Sequence, residues 1–184
     1  ADYVAINISS PNTPGLRNLQ KKNKLEALLK EISSERYVLE KKFKVFLPLV
    51  IKISPDIDLL LLKSIVELCI KYKLNGIIAT NTTTDKKVLL KKLENVPDGG
   101  ISGKPLFNNS KEILKNINNL NKSGLQIIGL GGIDSGKTAY EKLILGATAV
   151  QIYSGLIFKG PEIIEKILSD LFKINKVNNT NYES

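Results

Sequence analysis

Residues Ile127–Ala139 read IIGLGGIDSGKTA, and two phosphate turns compete for them. Gly131, four intervening residues and then Gly136-Lys137-Thr138 satisfy the P-loop spacing. In that motif backbone N–H groups cradle phosphates, the Lys reaches them, and the hydroxyl meets magnesium. Alternatively Gly131-Gly132 is a phosphate turn of its own, and Gly136-Lys137-Thr138 merely opens the next helix. The segments on either side decide between them.

Working outward, apolar runs alternate with stretches of helical period. Tyr3–Ser9, Leu49–Ser54, Asn75–Asn81, Leu125–Leu130 and Ala147–Ser154 are strand candidates rich in β-branched residues. Lys24–Lys42, Leu59–Lys73, Asn109–Leu120, Ser135–Leu145 and a last segment opened by Pro161 have helical period. Asn75-Gly76 is the expected stop of the second helix, and Ser110 a candidate cap of the third. A long loop carries PDGGISGKPL. Strands alternating with helices of this length imply βαβ units and a parallel sheet. Continuous apolar strands fit a sheet covered on both faces. Residues 1–174 form one such unit, and 175–184 read as a polar tail that frays.

Two architectures fit: an open doubly wound sheet, or part of a (β/α)8 TIM barrel. Each strand ends in small or polar residues: Asn7-Ile8-Ser9-Ser10, Lys52-Ile53-Ser54, Thr80-Asn81-Thr82, Gly131-Gly132 and Tyr153-Ser154. A barrel gathers all such ends at one mouth, whereas an open sheet concentrates its site at one switch point. The pattern favours the barrel. A full barrel needs roughly 200 residues or more, so about the last five βα units are expected. Five strands would leave two sheet edges and their inward apolar faces open.

Composition narrows the chemistry. The 184 residues carry a formal net charge of +9, are 42% hydrophobic, and include one cysteine, no histidine and no methionine. Without histidine, Ser-His-Asp and Cys-His catalysis are excluded within this sequence, and no metal site is expected. Cys69 sits at helical spacing from Ile65 and Val66 and reads as core. A lone cysteine fits a reducing compartment. No run approaches the roughly 20 apolar residues that span a bilayer. A start at Ala1, with no signal peptide and no Met, suggests a fragment or trimmed product. The lysines interleave with Glu26, Glu31, Glu35 and Glu40, as on a solvated helical surface, and nucleic acid is not an expected partner. Lys52, inside an apolar strand, is either a snorkelling edge residue or a functional cation.

The literal strings add a resemblance. NISSPNTPGLR, IKISPD, IIATNTT, GGISGKPL, IIGLGGIDS and VQIYSGLIFKGP occur in this order and are similar to the substrate and flavin segments of the dihydroorotate dehydrogenase family. The match runs from Ala1 to about Leu171. The quinone-reducing class of that family has serine where the soluble class has cysteine, and this sequence has Ser10 there.

The resemblance implies oxidation of (S)-dihydroorotate to orotate in pyrimidine synthesis, with FMN as cofactor and ubiquinone or a similar quinone as electron acceptor. It implies that Ser10 is the catalytic base, removing the C5 proton as hydride leaves C6. Asn7, Asn12, Asn81 and Thr82 would bind substrate. Asn7, Lys52, Thr80, Gly103, Gly132, Tyr153 and Ser154 would bind FMN, Lys52 next to the flavin ring. Gly131-Gly132 would then hold the flavin phosphate, with Lys137 on the surface of the next helix. Peripheral association with a bacterial or mitochondrial inner membrane, facing a reducing compartment, would run through an N-terminal region absent from this sequence. A non-catalytic half-barrel and a basic polyanion-binding domain are the alternatives.

Overall fold

The computed structural model describes residues 1–89 and 98–180, without the side chains of 177–180. Strands β1 (Val4–Asn7), β2 (Leu49–Ile53), β3 (Gly76–Ala79), β4 (Gln126–Gly129) and β5 (Ala149–Val150) are separated by helices. These are α1 (Lys22–Phe43), α2 (Leu59–Lys71), α3 (Phe107–Leu120) and α4 (Gly136–Ile144); α5 (Ser154–Lys159) and α6 (Glu162–Thr180) follow β5. Every strand pair is parallel, and the order is β1-β2-β3-β4-β5. A doubly wound sheet would reverse its order at a switch point. Sequential order without reversal is that of a partial (β/α)8 barrel.

The strand period of two divides the core. Ile51, Ile53, Ile77, Ala79 and Ile127 point outward into the cluster shared with the helices. Val50, Ile78 and Ile128 form a separate inward cluster with Leu130. Lys52 lies two residues beyond Val50 and therefore shares the inward face. This inward face is buried on β2 and β3, where the sequence led us to expect it open: Val50 is 4% exposed and Ile78 1%. Exposure is instead concentrated on the edge strands, where Val4 is 39% exposed and Ala149 is exposed. Gln151 donates to the Tyr3 hydroxyl at 2.7 Å, tying together the flanks of these two edges.

Helix ends differ in places from the sequence expectation. Asp58 caps α2, accepting from the Leu61 N–H at 2.7 Å. That helix ends at Lys71, and the chain turns just beyond it at Lys73, which takes the left-handed conformation with φ 53°, rather than at Asn75-Gly76. Gly76 instead opens β3, where a Cβ would lie 2.5 Å from the Gln126 carbonyl oxygen. Ser110 is not a cap. A 3-10 turn over Lys104–Leu106 starts α3 earlier, and Ser110 is buried inside it. Strand β5 is shorter than the apolar run, because its later residues turn into α5. The expected tail boundary at 174 falls within α6, which continues to Thr180; residues 181–184 lie outside the described residues. Cys69 is buried, and desolvation pushes its thiol up to about 12.

Candidate functional site

The C-terminal strand ends surround a cavity of about 340 Å³. Lys52, Thr80, Asn81, Thr82, Gly103, Gly132, Tyr153 and Ser154 line it, eight residues marked by the sequence. Asn7 joins them from β1: its Oδ1 accepts from Asn81 Nδ2 at 3.2 Å and from Ser9 Oγ at 3.0 Å. Asn81 Nδ2 also donates to Ser9 Oγ at 3.0 Å, so three side chains form one polar node. Ser10 and Asn12 are not among the cavity-lining residues. They occupy the adjoining loop, where Ser10 Oγ accepts from the Asn12 N–H at 3.3 Å. The Gly99-Gly100 segment packs on this loop, since a Cβ on Gly100 would meet Thr82 Oγ1 and Pro11 Cγ. Pro97, at the start of the PDGGISGKPL string, lies outside the described residues.

Side-chain geometry distinguishes the two candidate phosphate turns. Thr138 Oγ1 and Ser135 form a reciprocal capping box at the start of α4, and Lys137 is exposed. The hydroxyl that a P-loop would give to magnesium thus satisfies orphan N–H groups of its own helix. Gly136 serves helix packing, because a Cβ there would lie 2.1 Å from Asp170 Cβ on α6.

Gly131-Gly132 is built differently. Both have positive φ, 103° and 75°, which favours glycine. A Cβ on Gly132 would lie within 2.8 Å of the Phe107 backbone N and Cα, so the turn is pressed against the start of α3. Among the described residues neither glycine N–H has a backbone or side-chain acceptor. Donors held close together without partners, beside a cavity, are what an anionic group requires.

Lys52 is half-buried in the same cavity, and desolvation pulls its pKa below the ordinary lysine value. Among the described residues no carboxylate pairs with it. A cation with neither full hydration nor a counter-charge favours a ligand that is anionic or becomes so. The snorkelling alternative does not fit, since Lys52 is on the inward face of β2, between β1 and β3.

Several residues in and around the site were not foreseen. Ser102, Asp134, Gln151 and Lys159 also line the cavity. Ser154 Oγ donates to Ser102 Oγ at 2.9 Å, and Lys159 Nζ to the Asp134 carbonyl at 2.8 Å. Gln20 is buried and its Oε1 accepts from the Ser54 N–H at 2.9 Å, fixing the end of β2. Arg17 and Asp56 bridge three loops, and Lys142 lies behind the glycine turn. For Lys142 a signal existed: Gly136, Ala139 and Lys142 recur every three residues on the buried face of α4.

Fold and mouth together define a class: a β/α barrel with a phosphate-type glycine turn, a strand-borne lysine and an amide-rich pocket. The model of the family described as dihydroorotate dehydrogenase matches residues 1–174, and the chain belongs to that family. It is 43% identical over 173 residues to the dihydroorotate dehydrogenase (quinone) of Aliivibrio salmonicida, covering 93% of this chain and 51% of that one. Against the protein of the same name from Wigglesworthia glossinidia brevipalpis it is 45% identical over 168 residues, covering 91% and 50%. The ligand-free DHODH structure from Eimeria tenella superposes with a TM-score of 0.87 at 32% identity, covering 96% of this chain and 52% of that one. The ferulenol complex from the same organism gives a TM-score of 0.84 at 31% identity, covering 97% and 51%. The chain thus spans about half the length of the curated relatives it matches. Family membership implies a flavin cofactor in general terms.

Proposed function

We propose that this chain is the C-terminal portion of a quinone-dependent dihydroorotate dehydrogenase, that its flavin is FMN, and that its substrate is (S)-dihydroorotate. The observation that carries the reading is the meeting of Gly131-Gly132, Lys52 and the Asn7–Ser9–Asn81 node at one mouth.

FMN fits the residues present. The unpartnered N–H groups of Gly131 and Gly132 suit its phosphate, with Tyr153 and Ser154 next to them. Gly103 has a positive φ of 70°, which favours glycine, so backbone rather than side chain lines the cavity there. Thr80 is buried, and its hydroxyl is turned to the Asn81 carbonyl at 2.9 Å, so its role is to shape the wall. When bound, FMN would take the hydride from the substrate. Lys52 would offer positive charge to the ring as it is reduced.

Asn7, Asn12, Asn81 and Thr82 offer donors and acceptors matched to a cyclic amide and its carboxylate. Ser10 is the proposed base. Serine is weak at its free pKa, and the sequence has no histidine to help it, so a relay through water, amide or carboxylate must carry the proton away. Ubiquinone or a related quinone would reoxidise the flavin. Contact with a membrane surface would be made by protein beyond this chain; among the described residues no helix is long and apolar enough to cross a membrane.

The experiment is anaerobic flavin reduction by dihydroorotate in the complete enzyme. Ser10→Ala should keep its FMN and slow bleaching by roughly 10²–10⁴-fold, while Ser10→Cys retains part of the rate. Nearly unchanged bleaching in Ser10→Ala would remove Ser10 from the chemistry. Wild-type enzyme that carries no flavin, or whose flavin dihydroorotate leaves oxidised, would overturn the reading.

A further inference from the structure

Lys142 is a lysine with 0% of its surface exposed. Its ammonium has no carboxylate partner among the described residues. The Nζ donates to Ser110 Oγ at 2.6 Å and lies 5.4 Å from the centre of the Phe107 ring. Ser110 Oγ in turn lies 3.0 Å from both the Gly131 and the Phe107 carbonyl oxygens, and its single proton can be donated to either. An unbroken chain thus runs from the buried ammonium, through one hydroxyl, to the carbonyl of the turn. The steric fit is equally close: a Cβ on Gly131 would lie 2.9 Å from Ser110 Cβ and Oγ, and 3.1 Å from Leu106 Cδ2.

A buried ammonium is costly, and methionine or leucine would fill this space without that cost. A packing role therefore does not account for the charge. Fixing a carbonyl does. When the Gly131 carbonyl is held against α3, the peptide plane is set, and with it the direction of the Gly132 N–H on the same peptide unit. Glycine has no side chain to restrict its own rotation, so the turn needs an outside restraint to keep its donors aimed.

We propose that Lys142 is a positioning residue. Acting through Ser110, it locks the Gly131-Gly132 turn in the orientation that receives the cofactor's phosphate. This rests on the FMN reading above. The lysine never touches the ligand; its effect is confined to the phosphate, and the flavin ring is bound by other residues.

The test compares Lys142→Met and Ser110→Ala with wild type in two measurements. Binding of FMN and of riboflavin, which lacks the phosphate, is followed by flavin fluorescence. Each variant should weaken FMN by about tenfold, the equivalent of one charge-assisted hydrogen bond, and leave riboflavin unchanged. The double variant should be no worse than either single one, because both break the same chain. Hydrogen exchange at Gly131 and Gly132, measured without flavin, should speed up in both variants. Unchanged exchange together with an unchanged FMN-to-riboflavin ratio would overturn the proposal, as would equal loss of both flavins. Ser110→Ala retains the lysine and decides the matter if Lys142→Met does not fold. A wild-type protein with no preference for FMN over riboflavin would sink the phosphate reading itself, while the exchange rates still report on the restraint.

Discussion

Arg17 Nη1 donates to Asp56 Oδ2 at 2.8 Å, joining the loop after β1 to the loop after β2. The same guanidinium reaches the third loop: Nη2 donates to the Thr82 carbonyl at 2.9 Å, and Nε to the Ser9 carbonyl at 3.1 Å. Ser9 adjoins the proposed base and Thr82 lines the cavity. One planar fork thus sets the spacing of the strand ends that carry Ser10, Asp56 and Asn81-Thr82. Asp56 completes the clamp by accepting from the Thr83 hydroxyl and, at 2.8 Å, from the Thr84 N–H.

Lysine cannot reproduce this fork, because its single ammonium cannot serve two carbonyls and a carboxylate in one plane. Arg17→Lys should therefore lower stability by about 1–3 kcal/mol. Asp56→Asn tests the other side through pH. Burial pushes the Asp56 carboxyl up, but the hydrogen bonds from Thr83, Thr84 and Arg17 outweigh it and hold the pKa below the usual 3.8. A depressed acid stabilises the fold fully above its unfolded value and loses that contribution as pH falls through its folded value. Wild type should thus be more stable than Asp56→Asn near neutral pH, and the two should converge below about pH 3.8. Chemical unfolding across that range checks it; a constant gap would mean that Asp56 charge plays no part.

Thr138→Ala separates the two phosphate turns by experiment. The hydroxyl works in the capping box with Ser135, so its loss should cost about 0.5–2 kcal/mol of stability. Flavin content of the complete enzyme should be unchanged, and no ATP hydrolysis should be present to lose. A magnesium-dependent triphosphatase activity abolished by this change would restore the P-loop reading.

Periodicity made the sheet and its helices legible, because strands covered on both faces must be apolar throughout and their amphipathic partners must repeat near 3.6. The mouth was legible through literal strings: Lys52, Asn81 and Gly132 stand together in the structure as those strings implied. What stayed hidden was long-range. Nothing local pairs Arg17 with Asp56 and Thr82, since the fold alone brings those loops together. Ser110 resembles a helix cap in sequence because Ser favours caps, but the preceding Lys104-Pro105-Leu106 turn moved the helix start and carried the hydroxyl inward to Gly131. The burial of the inward face on β2 and β3 was also missed, because burial there depends on how the sheet curls rather than on strand content.

Lys142 gives the chain a pH signature of its own. Burial, and then the nearby Lys111 charge, lower its pKa from 10.5 to about 7. The groups facing it are Ser110, the Phe107 ring, and Lys111, which is itself paired with Glu141 at 2.9 Å. Between these two pKa values the unfolded chain holds a proton that the folded chain has released. Stability should therefore rise with pH from about 7 towards 10.5, by up to about 1.4 kcal/mol per unit. Below that window both states are charged and the full cost of burial is present. Lys142→Met should lack this rise and be more stable than wild type at about pH 6. Urea unfolding of both proteins at about pH 6 and about pH 9 measures the slope; parallel behaviour would mean that the lysine titrates normally.

The last expectation concerns the sheet edges. Among the described residues β1 pairs only with β2, and β5 only with β4, so each presents an unpaired row of backbone groups. Val4 is 39% exposed and Tyr3 39%, so the β1 edge is apolar as well as unpaired. The inward cluster of Val50, Ile78 and Ile128 is buried, so association is expected through the edges. Residues 1–184 alone should therefore self-associate through β1 and β5 as concentration rises, and bind FMN weakly. Val4→Lys puts a charge on the β1 edge without entering the core, and should shift the protein towards monomer. Light scattering coupled to size-exclusion chromatography, with absorbance followed in the flavin band, reads both effects. A wild-type chain that remains monomeric at high concentration and saturates with FMN would show that five strands need no further partners.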